Sequence, residues 1–175
     1  MIIDKKIKKE IKRSYFFYKG IFENINSDYF INKIEEGING EDNLSYKTNL
    51  NGRMTDWQFF TQDLEFEKLL WQLLDVVDRD IKPKAYVLRE AWGFKNSLGD
   101  YTYRHDHVHD NIFLSGVIYL NKHSQVLEFD EINQKIEPEK GGFAFFSSFL
   151  YHGCKRNLIN KPKYGLSFNL NYVRR

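Results

Sequence analysis

Apolar positions recur at helical spacing in the first half of the chain and at strand spacing in the second. Phe66, Leu69, Leu70, Leu73, Leu74, Val77 and Ile81 fall on one face of a 3.6-residue period. That spacing predicts a helix with Asp63 as N-cap and a stop at Lys82 and Pro83. It should pack on a sheet and carry no chemistry. A shorter helix is expected through Phe30, Ile31 and Ile34, capped by Asn26 or Ser27 and ended by Gly37 and Gly40. Ile3, Ile7 and Ile11 recur every fourth residue and suggest a short amphipathic helix at the start. Residues 14–22 are aromatic and strand-like, and residues 40–51 are polar and loop-like.

From residue 85 the pattern changes. Residues 85–91, 101–107, 113–120, 126–129, 143–146, 153–157 and 164–173 read as short strands. Turn signals separate them at Leu98-Gly99-Asp100, Asn121-Lys122-His123-Ser124 and Gly141-Gly142. Helices followed by many short strands give an α+β reading with a β core, as a sandwich, jelly roll or barrel. The three prolines, Pro83, Pro138 and Pro162, fall at connections, and no repeat or low-complexity tract occurs. One domain over residues 1–175 is expected, with a helical N-terminal part (1–84) and a β core (85–175).

Composition narrows the class. The 175 residues are 42% hydrophobic, 29% charged and 17% aromatic, which excludes disordered, collagen-like and coiled-coil chains. The net charge is +2, so no nucleic-acid partner is indicated, although Lys5, Lys6, Lys8, Lys9, Lys12 and Arg13 crowd the start. The one cysteine, Cys154, excludes an intramolecular disulfide and a cysteine-based zinc cluster. No apolar run approaches a membrane span or a signal peptide. A cytoplasmic protein with no membrane partner is the expectation.

The candidate chemistry lies in the histidines. Arg104-His105-Asp106-His107-Val108-His109-Asp110 is followed much later by Tyr151-His152-Gly153. Alternate residues of a strand share a face, so His105 and His107, with His109 if the strand continues, point together while Asp106 points away. Two such imidazoles can bind one metal ion if an adjacent strand supplies His152 as a third ligand. Imidazole suits Fe, Zn, Cu and Ni alike. His123 sits in a turn and reads as a surface residue.

Several ordered blocks resemble a known family. Ala91-Trp92-Gly93 with Gly99-Asp100-Tyr101 and His105-Asp106-His107 is similar to the iron-binding segment of the 2-oxoglutarate/Fe(II)-dependent dioxygenases, most of all a small prolyl-hydroxylase-like branch of phages and bacteria. Leu114-Ser115-Gly116-Val117-Ile118-Tyr119-Leu120, Gly141 to His152, and Lys163-Tyr164-Gly165-Leu166-Ser167-Phe168-Asn169 resemble its later blocks, and Arg53-Met54-Thr55-Asp56-Trp57 resembles an earlier one. The resemblance implies a double-stranded β-helix (a cupin-like jelly roll) with N-terminal helices packed on the sheet. It implies a hydroxylase, an oxidoreductase in which Fe(II) is held by His105, His107 and His152. It implies 2-oxoglutarate as cosubstrate, bound to the iron through its keto and C1 carboxylate oxygens. Its distal carboxylate would meet Tyr119 and Lys163, with Lys161 as the competing lysine, and Ser167 or Tyr101 could add a hydroxyl. No catalytic group beyond the metal ligands is implied. The partners would be O2 and an unknown substrate, a small molecule or a peptidyl residue.

This chain departs from the family pattern in three places. His107 stands where most members have a carboxylate, Lys163 where the branch has Arg, and Gly165 where it has Ser. A neutral third ligand leaves the site one unit more positive, and Asp106 or Asp110 could compensate by accepting an imidazole N–H. Counting forward from Trp92 and Gly99 selects His105 and His107, and counting back from Ser115 and Gly116 selects His107 and His109. The first pair is preferred. The alternatives are a cupin-like three-histidine metal protein of another reaction class and a non-catalytic binding module.

Overall fold

The computed structural model describes residues 14–40, 48–81, 86–108 and 112–172. The first half contributes strand β1 (Phe17–Ile21), helix α1 (Ser27–Asn39), strands β2 (Leu50–Asn51) and β3 (Arg53–Met54), and helix α2 (Leu64–Ile81). There follow β4 (Tyr86–Asn96), β5 (Tyr101–His105), β6 (Leu114–Tyr119), β7 (Leu127–Phe129), β8 (Gln134–Ile136), β9 (Gly142–Ser147), β10 (His152–Cys154) and β11 (Lys163–Tyr172). They make a six-stranded sheet ordered β1-β9-β6-β11-β4-β3 and a five-stranded sheet ordered β2-β5-β10-β7-β8. Every pairing recorded between these strands is antiparallel. The expected α+β jelly roll with helices against one sheet is the fold that forms.

Two cores explain the layering. Phe30, Ile34 and Ile38 of α1 and Phe66, Leu70, Leu73 and Leu74 of α2 pack with Leu166, Phe168 and Leu170 of β11 on the outer face of the large sheet. Trp92, Phe94, Val117, Tyr119 and Phe146 of that sheet pack with Leu127, Phe129 and Cys154 of the smaller sheet between the two. Along β11 the residues therefore alternate between a helix-facing set and an inward set.

The helix signals act as the spacing predicts. Asn26 caps α1 by accepting from the Tyr29 amide at 3.3 Å, and Asp63 caps α2 by accepting from the Phe66 amide at 2.9 Å. Asp63 also accepts from the Tyr29 hydroxyl at 2.7 Å, which ties the helices together. Gly37 does not end α1, which runs on to Asn39. Its role is close packing, since a Cβ there would lie 2.7 Å from Phe59 and Thr55.

Strand β4 extends well past the expected 85–91, because Ala91 to Phe94 are buried on both faces and the in–out polarity vanishes. The strand-like segment at residues 14–22 forms β1, while β2 and β3 fall in or beside the segment expected as a loop and also join the sheets. β2, β3 and β8 are too short to leave a two-residue period in the sequence. The basic stretch at residues 5–13, the stop at Lys82 and Pro83, and His109 and Asp110 lie outside the described residues. No helix among the described residues is long and apolar enough to cross a membrane.

The helix-facing core leaves no space beside Gly116. It pairs with Phe168 across β6 and β11, and a Cβ at Gly116 would lie 2.1 Å from that ring. Gly116→Ala should therefore destabilise the fold by about 1–3 kcal/mol through overpacking. Urea unfolding should show a lower midpoint with an unchanged slope.

Candidate metal centre and its cavity

His105, His107 and His152 come together, with their ligand atoms all within 4.8 Å of one another. His105 ends β5 and pairs directly with His152, the first residue of β10. His107 follows β5 and is fixed by its amide, which donates to the Ser148 carbonyl at 2.7 Å. The His107 and His152 rings are nearly parallel, 5.1 Å apart at an angle of 11°. Phe129 and Phe146 pack against His152 with ring centroids at 5.3 and 4.7 Å.

The hydrogen bonds fix which nitrogens face the centre. Nδ1 of His105 lies 2.8 Å from the Tyr103 carbonyl, and Nδ1 of His152 lies 2.8 Å from the Leu150 carbonyl. A carbonyl only accepts, so both Nδ1 atoms carry a proton, and Nε2 is the nitrogen each ring leaves to face a cation. His107 Nε2 lies 3.3 Å from His152 Nε2, so in the metal-free protein it donates to that lone pair. Two nitrogens each about 2.1 Å from one ion and at right angles would be about 3.0 Å apart. The donor set therefore fits a divalent transition metal at modest rearrangement. Burial, with His105 nearby, pushes the His152 pKa down to about 3, so this ring is neutral as a ligand must be.

The acceptors behind His105 and His152 are backbone carbonyls. Asp106, one of the two carboxylates considered as an acceptor, receives the Tyr151 hydroxyl and lies near the Val108 amide.

A cavity between the sheets joins the histidines to Tyr119, Ser167, Lys163 and Cys154. Leu50, Met54, Trp57 and Trp92 make apolar walls. Lys163 is 1% exposed. Its Nζ donates to the Gln125 carbonyl at 3.2 Å and to Cys154 Sγ at 3.4 Å, and it lies 5.7 Å from the centre of the Tyr119 ring. Burial lowers its pKa, and the neighbouring thiol opposes that shift. Lys161 is exposed, so of the two lysines Lys163 is the one in the cavity. Tyr119 is fully buried, and burial and then Cys154 raise its pKa well above the usual value.

Tyr101 is not brought to this cavity. Its hydroxyl donates to Tyr103 at 2.8 Å on the exposed side, and Arg156 lies over its ring. The cause is an irregularity in the β5–β10 pairing, where His152 and Cys154 face His105 and Thr102. The extra residue on β5 reverses the alternation, so Thr102 lines the cavity in place of Tyr101. His123 is also corrected. It is 6% exposed and lies 2.9 Å from the Lys161 carbonyl. Cys154 and Asn96 were not anticipated as lining residues. The strand period could have found both, since Cys154 lies two residues from His152 and Asn96 faces Lys163 across β4 and β11.

Comparison with known proteins places this geometry. No protein-family model matches the chain, and no curated protein matches it significantly. Solved structures do. A viral collagen prolyl hydroxylase of Paramecium bursaria Chlorella virus-1, in complex with 2-oxoglutarate, superimposes with a TM-score of 0.68 at 17% identity, over 92% of this chain and 97% of that one. The fold is that of the 2-oxoglutarate oxygenases. A prolyl-4-hydroxylase of Pseudomonas putida has it too, with a TM-score of 0.66 at 17% identity over 91% and 92% of the two chains. So does HygX of Streptomyces hygroscopicus with nickel and 2-oxoglutarate bound, with a TM-score of 0.65 at 12% identity over 90% and 82%.

The neutral state of His152 sets an acid limit on the metal-free protein. Its folded pKa of about 3 lies below the model-peptide value of 6.5. Above pH 6.5 the ring is neutral in both states and contributes no slope. Below it, the unfolded chain takes up a proton that the folded chain refuses, so stability falls until the pH reaches about 3. Denaturant midpoints of metal-free protein from pH 7 to 4 should drop, and His152→Gln should remove a slope of up to about 1.4 kcal/mol per pH unit.

Proposed function

We propose that the chain is an iron(II)- and 2-oxoglutarate-dependent dioxygenase, a single domain whose two halves build one cavity. The observation that carries this reading is one cavity lined by the three clustered histidines and by a buried lysine, Lys163. Iron(II) with 2-oxoglutarate supplies O2-dependent oxidation of a C–H bond, with release of succinate and CO2.

The chain's own residues do the rest. His105, His107 and His152 present neutral nitrogens to the iron, and the Tyr103 and Leu150 carbonyls hold the rings of His105 and His152 in orientation. Lys163 pairs with the distal carboxylate of the cosubstrate, because a buried ammonium whose bonded oxygen is a neutral carbonyl is costly until an anion joins it. Tyr119 donates its hydroxyl to the same carboxylate, and Ser167 adds a second donor. Phe129 and Phe146 keep water from His152. Apart from the histidines, Lys163 is the one ionisable side chain of Lys, Arg, Asp or Glu type along the cavity among the described residues. With that cation committed, the part of the substrate that reaches the metal is uncharged. Hydroxylation is the proposed outcome. The prolyl hydroxylases among the structural neighbours favour a peptidyl residue, and HygX, also solved with hygromycin B, favours a small molecule. A reducing cytoplasm suits the thiol beside Lys163.

Anaerobic addition of Fe(II) and then 2-oxoglutarate to purified protein should produce a visible charge-transfer band, and His107→Ala should abolish it. Lys163→Ala should keep iron binding and raise the Kd for 2-oxoglutarate by about 30-fold or more. Iron binding without a band would favour the three-histidine protein of another reaction class. A band without succinate release on exposure to O2 would favour a binding module.

A further inference from the structure

His123 and Gln125, in the connection between β6 and β7, are 6% and 5% exposed. The His123 side chain lies with Nε2 2.9 Å from the Lys161 carbonyl, which requires that nitrogen to carry the proton. Nδ1 is then a lone-pair acceptor, and it receives the Gln125 amide at 2.9 Å. Burial lowers the His123 pKa, which keeps that acceptor in its neutral form.

Gln125 is committed at every polar atom. Its side-chain Nε2 donates to the Asp100 carbonyl at 2.9 Å and the Lys155 carbonyl at 2.7 Å, which consumes both protons. Its Oε1 accepts from Asn96 Nδ2 at 3.1 Å. Its amide is held by His123, and its carbonyl accepts from Lys163 Nζ. Five hydrogen bonds thus fix one residue whose carbonyl is the oxygen recorded at the cavity's cation among the described residues. Neither His123 nor Gln125 lines the cavity.

We propose that His123 and Gln125 are positioning residues that hold the Lys163 ammonium in place for a distal carboxylate, without touching it. This rests on the reading of Lys163 as the cosubstrate's partner. The physical need follows from the side chain. An arginine carries a rigid fork, whereas lysine is a point charge on a flexible four-carbon stem. Ordering that stem at the moment of binding would weaken affinity, and ordering it beforehand avoids that loss. A backbone carbonyl carries no net charge, so Gln125 orients the ammonium without neutralising it and the charge stays available to the ligand.

The test compares two keto acids on iron-loaded protein. 2-Oxoglutarate carries the distal carboxylate, and 2-oxobutanoate lacks it. His123→Gln keeps a donor for Lys161 but offers no acceptor to the Gln125 amide, and His123→Asn keeps that acceptor. Calorimetry and the charge-transfer band should show that His123→Gln and Gln125→Ala raise the Kd for 2-oxoglutarate about tenfold, the scale of one hydrogen bond to a charged group. The Kd values for Fe(II) and 2-oxobutanoate should stay within about twofold of wild type, and His123→Asn should bind 2-oxoglutarate like wild type. Equal losses for both keto acids, or an unchanged Kd for 2-oxoglutarate in folded His123→Gln, would overturn the proposal. Failure of the wild-type protein itself to bind 2-oxoglutarate would overturn the reading on which it rests.

Discussion

The central constraint is the register of β11. It lies between β6 and β4 and pairs with β4 over nearly its whole length. Leu166, Phe168 and Leu170 close the core beneath the helices. Lys163, Ser167 and Asn169 turn to the cavity. A slip by one residue would exchange these sets, placing an ammonium among leucines and phenylalanine rings in the cavity. The helical layer and the chemical layer are thus specified by one strand, and the apolar half secures the polar half. The close approach of Phe168 to Gly116 fixes the register sterically.

At the histidines a second constraint operates. Three imidazoles come together, and among the described residues no carboxylate joins the group. The rings of His105 and His152 are oriented by backbone carbonyls, which are already set by the strand ends that carry these residues.

Features that depend on period or on a local cap were legible in the sequence. The α2 face and the Asp63 cap can be read directly, the α1 cap is narrowed to Asn26 or Ser27 and the paired histidines to 105/107 or 107/109, and the resemblance supplied the lysine and tyrosine. Features that depend on a neighbour's register were not. Tyr101 shares a strand with His105, and only the irregular pairing opposite β10 turns it outward. His123 sits among turn residues, and its burial follows from the return of the chain at Lys161, far along the sequence. Strand β4 loses its alternation because helices cover its outer face, which its own residues do not announce.

The short strands β2 and β3 attach to different sheets, β2 to β5 and β3 to β4. Gly52 alone separates them, and any Cβ there would press on Asn96 Oδ1 at 2.6 Å and the Lys95 carbonyl at 3.0 Å. The pair acts as a clasp that joins the two walls of the sandwich at one side of the cavity. A clasp that admits no side chain at its midpoint cannot be widened by substitution there. Divergence toward a differently shaped molecule must instead work through its flanks, at Thr48, Asn49 and Trp57, while the gap between the sheets stays the same.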